Sequence, residues 1–156
     1  MKAGWWRRWL REKRNTKRKT EERVLLMPEE RELALILQEL RGKVEQAQEE
    51  RRLDYEMYDE CRQLLFRLDL LVPYSGIMPP ALQERIANLI MEDTPRLLYP
   101  YLALGEESMR SVRREAVAGI RFMAAEAKRI VGAIQEYERQ GLASQAAFIS
   151  SWYKKK

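Results

Sequence analysis

Residues 28–71, PEERELALILQELRGKVEQAQEERRLDYEMYDECRQLLFRLDLL, carry the pattern that decides the fold. Pro28 at a first helical position and acidic residues directly after it are typical of a helix start. Apolar residues then recur at roughly 3.5-residue spacing, at Leu33, Leu37, Leu40, Val44, Ala47, Tyr58, Cys61, Leu65 and Leu68. Because no proline or glycine lies between Gly42 and Pro73, we predict one helix of about 60 Å from Pro28 to Leu71. Charged Arg51 and Asp54 interrupt the stripe, and two helices meeting near residues 49–54 are the alternative.

The rest of the chain is also typical of helices. A proline- and glycine-containing segment over 72–80 ends the first pattern, and Leu82 to Ile90 predict a short helix. Thr94-Pro95 predicts another short helix start. From Glu106 a second long helix is expected to run to Gly141. A last short helix over 142–153, packed on the bundle, is expected to present Leu142, Ala146, Ile149 and Tyr153 on one face. Apolar and polar residues do not alternate with a period of two over any stretch long enough to predict a strand.

We therefore predict an all-α fold. Its expected architecture is a helical bundle, with coiled-coil-like spacing, built on two long antiparallel helices with shorter connecting and C-terminal helices. The expected organisation is an arm and linker over 1–27, a bundle domain over 28–153 and a basic tail over 154–156.

Composition excludes several function classes. The 156 residues include no histidine and one cysteine. A disulfide framework, a multi-cysteine metal knuckle and any chemistry based on histidine are therefore excluded within this chain. No phosphate-binding glycine motif occurs. We predict no cofactor, no metal site and no catalytic residue, and an adaptor or scaffold is favoured over an enzyme.

Positive charge is concentrated at the N-terminus. The chain carries 29 Lys and Arg against 24 acidic residues, a net charge of +5. Residues 1–19 alone hold nine basic residues and one acid, Glu12, a net charge of +8. At 100° per residue, three tryptophans and a leucine fall within an arc of about 140°, and most of the arginines lie opposite. This sequence predicts an amphipathic arm whose polyanion-binding residues are Trp5, Trp6, Arg7, Arg8, Trp9, Leu10, Arg11, Lys13, Arg14, Lys17, Arg18 and Lys19.

Such an arm favours an anionic membrane surface. Indole rings settle at the headgroup level of a bilayer, and basic side chains are attracted to anionic lipids. Nucleic-acid binding is the alternative, with basic residues on phosphates and tryptophans stacked on bases. Docking on the protein's own body and an acidic protein partner are two further alternatives. Neither a signal peptide nor a membrane-spanning segment is predicted, so the expected location is cytoplasmic, peripheral on the inner face of the cell membrane.

The bundle is expected to bind a protein partner. Tyr74, Tyr99 and Tyr101 lie in or beside the proline-rich connections, where they are either a partner surface or aromatic packing. Small residues in the second long helix are compatible with a homo-oligomer. Cys61 lies on the apolar stripe and is expected to be a buried small hydrophobe. An enzymatic function would need a pocket containing, for example, Asp93, Arg96 and Tyr99.

One phrase resembles a known family. Residues 86–104, IANLIMEDTPRLLYPYLAL, followed by a long helix containing Gln135-Glu136-Tyr137, resemble the C-terminal part of XpaC-like proteins. That family is associated with 5-bromo-4-chloroindolyl phosphate hydrolysis. The resemblance covers at most residues 53–153 and implies a helical, membrane-associated factor. It implies no catalytic residues, and this chain has the Trp/Arg arm where a longer or membrane-spanning N-terminal region is expected.

Overall fold

A computed structural model describes residues 28–154, and all regular structure in that range is helical. The predicted all-α helical bundle is confirmed. Its elements are α1 (Glu30–Glu49), α2 (Tyr55–Leu71), a 3₁₀ turn (Val72–Tyr74), α3 (Pro80–Ala87), a π-helical segment (Asn88–Asp93), α4 (Thr94–Leu102), α5 (Glu106–Ser111) and α6 (Arg113–Lys154).

The helices alternate in direction along the chain. Tyr58 of α2 donates a 2.6 Å hydrogen bond to Glu45 near the end of α1, so these helices form an antiparallel hairpin. The run α3–π–α4 returns towards the start of α2, where Arg52 contacts the carbonyl oxygen of Leu102. It is antiparallel to α6, since Arg85 pairs with Glu126. The result is an up-down-up-down four-helix bundle in which α3, the π segment and α4 act as one helical rod.

A single hydrophobic core lies between α1, α2, the rod and α6. Its centre is formed by leucines of α1 and α2, isoleucines of the rod and the inner face of α6. The Leu97 side chain of α4 packs directly on Gly119 of α6, where an added Cβ would lie 2.9 Å from Leu97 Cδ2. The fully buried large side chains include Leu33, Leu37, Leu40, Met57, Leu64, Leu68, Ile86 and Ile90.

The prediction of one helix over 28–71 is wrong. Helix α1 ends at Glu49, and Arg51 has a φ of 57°, a left-handed conformation that an α-helix cannot contain. Asp54 then begins α2, because its carboxylate accepts a 2.9 Å hydrogen bond from the Met57 amide. The chain reverses here without proline or glycine, since packing α1 against α2 buries the apolar stripes of both.

The connecting helices are more continuous than predicted. The π segment lies directly before Thr94-Pro95, and the helix proceeds through Pro100 to Leu102. A proline lacks the amide donor of a normal helical turn and its ring crowds the preceding turn. The wider π turn accommodates this break without ending the helical rod.

The second half also differs from prediction at both ends of its long helix. Val112, with φ −109° and ψ 11°, separates short α5 from α6. Helix α6 then passes through Gly141 and continues to Lys154, so the expected separate last helix packed on the bundle does not exist. Glycine lowers helix stability by only about 1 kcal/mol, which a long helix tolerates.

Candidate interaction surface

The predicted polyanion-binding arm lies outside the described residues. Trp5, Trp6, Arg7, Arg8, Trp9, Leu10, Arg11, Lys13, Arg14, Lys17, Arg18 and Lys19 therefore remain a prediction from sequence. The structure does describe Pro28, the buried residue at which the preceding segment joins the bundle. Because α1 is antiparallel to α2, Pro28 lies at the end of the bundle where α2 finishes.

Helix α6 leaves the bundle at this same end. Asp54 pairs with Arg113 and Glu60 with Arg121, so α2 and α6 run parallel with an offset of about 60 residues. The end of α2 at Leu71 is thus level with residue 131 or so of α6, and Ile134 is the last buried residue of α6. The following residues, 135–154, are all exposed. At 1.5 Å per residue they form a helical extension of about 30 Å, which we call the α6 extension.

The α6 extension has an apolar face. Leu142 is 71% exposed, Phe148 67% and Trp152 56%, and Ile149 and Tyr153 are also exposed. Its base carries Glu136, which is paired with Arg139, and Glu138, and its described tip is Lys154. Exposed aromatic side chains in a helix of this length are typical of a binding surface.

A second exposed face lies on α2. Phe66 and Leu70 are exposed there beside Asp59, Arg62 and Arg67, and together they line an open cleft of about 440 Å³. Arg62 also lies 5.4 Å from the Tyr58 ring centroid. Apolar side chains bordered by both signs of charge can contact a protein partner through a small apolar centre and a polar rim.

A cleft of about 460 Å³ near the start of α6 is rich in arginine. Arg110, Arg113, Arg114 and Arg121 line it together with Glu56. Three of these arginines are paired: Arg110 with Glu106, Arg113 with Asp54 and Glu56, and Arg121 with Glu56 and Glu60. Because acidic groups balance the arginines, this cleft is not a strongly basic anion site. Its ion pairs instead connect α2 to α6.

The three predicted surface tyrosines contribute mainly to packing. Tyr101 is only 6% exposed and lies in the core, in keeping with the aromatic-packing alternative. Tyr74 and Tyr99 are half-buried against the core, and Lys43 Nζ lies 5.8 Å from the Tyr99 ring centroid. A partner contact through the exposed parts of Tyr74 and Tyr99 stays a prediction.

Neither of the two clefts described above is lined by the residues considered for catalysis, Asp93, Arg96 and Tyr99. Asp93 is exposed, and Arg96 pairs with Glu92 on the same helical surface. Cys61 is fully buried, and burial raises the pKa of its thiol to about 12, which suppresses the reactive thiolate. Within residues 28–154 no group of three or more acidic or cysteine side chains is placed to hold a metal ion.

Searches against protein-family models, curated proteins and solved structures find no match. The resemblance to XpaC-like proteins stays a prediction. Over the described range, every helix is too polar or too short to cross a bilayer.

The α6 extension is the surface that sequence reasoning missed. Leu142, Ile149 and Tyr153 were expected on one face of a separate helix packed on the bundle. The missed signal is their register: they continue the apolar side of α6 beyond Gly141, and no proline follows that glycine to end the helix.

Proposed function

We propose that this protein is a non-enzymatic helical adaptor, attached peripherally to an anionic membrane surface by residues 1–19 and binding a protein partner through its bundle. The observation that carries the proposal is the separation of charge along the chain. Residues 1–19 have a net charge of +8 and contain three tryptophans, whereas residues 28–154 hold 17 basic and 21 acidic residues. An acidic body is repelled by a polyanion, which leaves the arm as the segment suited to bind one.

Two structural features support this division of roles. The described core of the bundle is formed by residues between 33 and 134. The segment before Pro28 joins the body at the end of the bundle where the α6 extension also leaves it, and neither that extension nor the exposed face of α2 belongs to residues 1–27. A basic arm on an acidic body can hold a partner near a surface without using the same residues for both contacts.

Vesicle co-sedimentation tests the membrane attachment. The full chain should pellet with vesicles containing anionic lipid, much less with zwitterionic vesicles, and less as salt concentration rises. The variant Trp5→Ala/Trp6→Ala/Trp9→Ala should lose most of this binding. The matched control Phe66→Ala/Phe122→Ala removes exposed aromatic rings from the body and should pellet like the unaltered chain. Equal pelleting by the triple tryptophan variant would reject lipid attachment.

Nucleic-acid binding through the same arm is separated by a mobility-shift titration. Binding to either polyanion is salt-sensitive, so the two hypotheses are separated by which ligand the protein binds. No shift of single-stranded or duplex oligonucleotides at micromolar protein and low salt is expected. A shift that requires residues 1–19, together with no preference for anionic vesicles, would replace the lipid proposal with the nucleic-acid alternative.

The partner role of the bundle is tested by comparing the full chain with a chain lacking residues 1–19. A protein bound by the bundle should be retained by both, and it should be lost when the α2 face is changed by Phe66→Asp/Leu70→Asp. A partner that is lost with the arm and unaffected by the α2 variant would contradict binding through this face of the bundle.

A further inference from the structure

The solvent face of α2 has the heptad spacing of one strand of a coiled coil. Four residues follow one another at intervals of four, three and four positions: Asp59, Gln63, Phe66 and Leu70. At 100° per residue they lie within an arc of about 60°, roughly opposite the buried stripe of α2. Together with Arg62 and Arg67 they line the open cleft of about 440 Å³. We call these four residues the α2 seam, and one further helix can lie along it.

The two halves of the α2 seam differ in chemistry. Phe66 and Leu70 form an apolar half and are 64% and 54% exposed. Asp59 and Gln63 form a polar half, in which Gln63 Nε2 donates a 2.8 Å hydrogen bond to Asp59. A second helix gains apolar contact only along the half that contains Phe66 and Leu70. Because polar residues within a seam fix the register of a coiled-coil pair, the polar half limits how that helix can align.

The charged residues that border the α2 seam determine which helix fits it. In a coiled coil these are the e and g positions, whose ion pairs with the second helix select the partner. The two acidic residues at these positions are already paired within the bundle. Glu60 pairs with Arg121 of α6, and Asp69 pairs with Arg41 of α1. Their charge is therefore largely balanced before any partner binds.

The two basic residues on the borders, Arg62 and Arg67, have no ion pair with any residue in the described range 28–154. Lys128 of α6 adds to their charge. Since Glu60 pairs with Arg121, one heptad further along these parallel helices Arg67 is level with Lys128. No acidic residue lies three or four positions from Arg67 or Lys128 in its own helix. The borders thus present cations that carboxylates of a second helix can pair with.

We propose that the α2 seam binds one helix of a partner protein that is apolar where it faces Phe66 and Leu70 and acidic along both borders. The inference rests on the proposed adaptor role and adds the chemistry of the partner to it. The +8 arm of this chain does not fit, since its cations would face Arg62 and Arg67. An anionic bilayer does not fit either, because the Asp59 carboxylate lies within the seam and is repelled by a negative surface.

A second copy of this chain is a poor match for the α2 seam. Parallel pairing brings Asp59 against its own equivalent and Arg62 against Arg67, so like charges meet. Antiparallel pairing about the middle of the seam places Phe66 against Gln63. The apolar half of one copy then meets the polar half of the other, and little apolar surface is buried in apolar surroundings.

Amide nuclear magnetic resonance of the full chain, titrated with synthetic helical peptides, tests the inference. The probe is a peptide of about 21 residues, or three heptads, with leucine at a and d and glutamate at e and g. The matched peptide carries lysine in place of every glutamate. The glutamate peptide should shift the amide signals of residues 59–70 and bind there at least about tenfold more tightly than the lysine peptide. Signals of residues 1–19 report separately on contact with the basic arm.

A charge exchange on the borders of the seam is the decisive variant. Arg62→Glu/Arg67→Glu should reverse the preference, so that the lysine peptide binds more tightly than the glutamate peptide. The control Arg31→Glu/Arg114→Glu makes the same change in net charge at exposed residues of α1 and α6, outside the seam. It should keep the preference of the unaltered chain. Circular dichroism verifies that both variants retain their helical content.

Equal binding of the two peptides, no binding of either at the seam, or a reversed preference in the control variant would each overturn the inference. Shifts of the seam signals by anionic vesicles and by neither peptide would assign this face to lipid instead. The adaptor role is judged separately, because vesicle binding by the arm and loss of a partner in Phe66→Asp/Leu70→Asp do not require acidic borders in that partner.

Discussion

Arg113 donates two hydrogen bonds to Asp54, from Nε at 2.7 Å and from Nη2 at 3.1 Å, one to each carboxylate oxygen. Asp54 also begins α2 by accepting the Met57 amide at 2.9 Å. One carboxylate thus stabilises the start of α2 and connects it to the first residue of α6. The neighbouring turn residue Arg52 reaches α4, so three helices meet at this corner of the bundle.

The two roles of Asp54 can be separated by substitution. Asp54→Asn retains a side-chain oxygen for the Met57 amide but loses the charge, and we expect a loss of no more than about 1 kcal/mol in unfolding free energy. Asp54→Ala loses the cap as well and should cost about 1 kcal/mol more. Urea denaturation measures both. Equal losses for the two variants would show that the capping hydrogen bond contributes nothing.

The same pair predicts a pH dependence. The Arg113 guanidinium holds the pKa of the Asp54 carboxyl below its ordinary value, and the Met57 amide acts in the same direction. Its stabilising contribution is therefore fully present above the unfolded-state pKa of about 3.9 and is lost as pH falls through the lower folded-state pKa. Denaturation between pH 5 and 2 should show a smaller acid-dependent loss in Asp54→Asn than in the unaltered chain. Identical pH profiles would contradict this assignment.

Arg52 stabilises the end of α4. Its Nη1 donates to the carbonyl oxygens of Leu102 and Leu104 at 2.8 and 2.9 Å, two groups that lack a partner in the following helical turn. Arg52→Ala should lower the free energy of unfolding by about 2 kcal/mol, because hydrogen bonds from charged groups contribute about 1.5–3 kcal/mol. Arg110→Ala is the control: its exposed pair with Glu106 should contribute less than about 0.5 kcal/mol. Similar losses in the two variants would argue against the capping role.

Arg51 is a site for stabilisation. Its φ of 57° is unfavourable for a residue with a Cβ and favourable for glycine. Arg51→Gly should raise the unfolding free energy by up to about 1 kcal/mol, whereas Arg51→Ala should leave it near the unaltered value because the Cβ remains. Thermal or urea denaturation measures the difference. A destabilised glycine variant alongside an unchanged alanine variant would contradict the strain argument.

Cys61 should be unreactive in the folded protein. It is fully buried, and its raised pKa of about 12 keeps the thiol protonated. Thiol reagents at pH 8 should label it only in denaturant, and stability should fall as pH rises above the unfolded-state pKa of about 8.5, where only the unfolded chain ionises. Rapid labelling under native conditions would show that the core around Cys61 opens readily.

The helical fold and most core positions follow from periodicity. The stripe through Leu33, Leu37, Leu40 and Val44 is buried as predicted, and so is the stripe through Cys61, Leu65 and Leu68. The prediction of these buried positions succeeds because a helix buries one of its faces wherever apolar residues recur at a regular helical spacing. The turn at Arg51 could not be predicted in this way, since its sequence is compatible with a helix and the left-handed residue is favoured only once α2 packs back on α1.

The candidate interaction surfaces also differ in how far the sequence alone could predict them. The charge and tryptophan content of the arm are properties of composition and needed no coordinates. The apolar face over 142–153 was visible in the sequence, but whether it packs on the bundle or projects from it depends on where the other helices end. The length of each helix shows where the bundle ends only once it is known which helices pack against each other and in which direction.

By itself, then, the amino-acid sequence determined that this protein is helical, which residues line each apolar stripe and where its charge is concentrated, because these depend on neighbours within a few turns of chain. The tertiary structure decided the reversal at Arg51, the continuity of α6 through Gly141 and the exposure of Phe148 and Trp152. These depend on contacts between residues distant in sequence, where packing of four helices outweighs the weak local preference of any single residue.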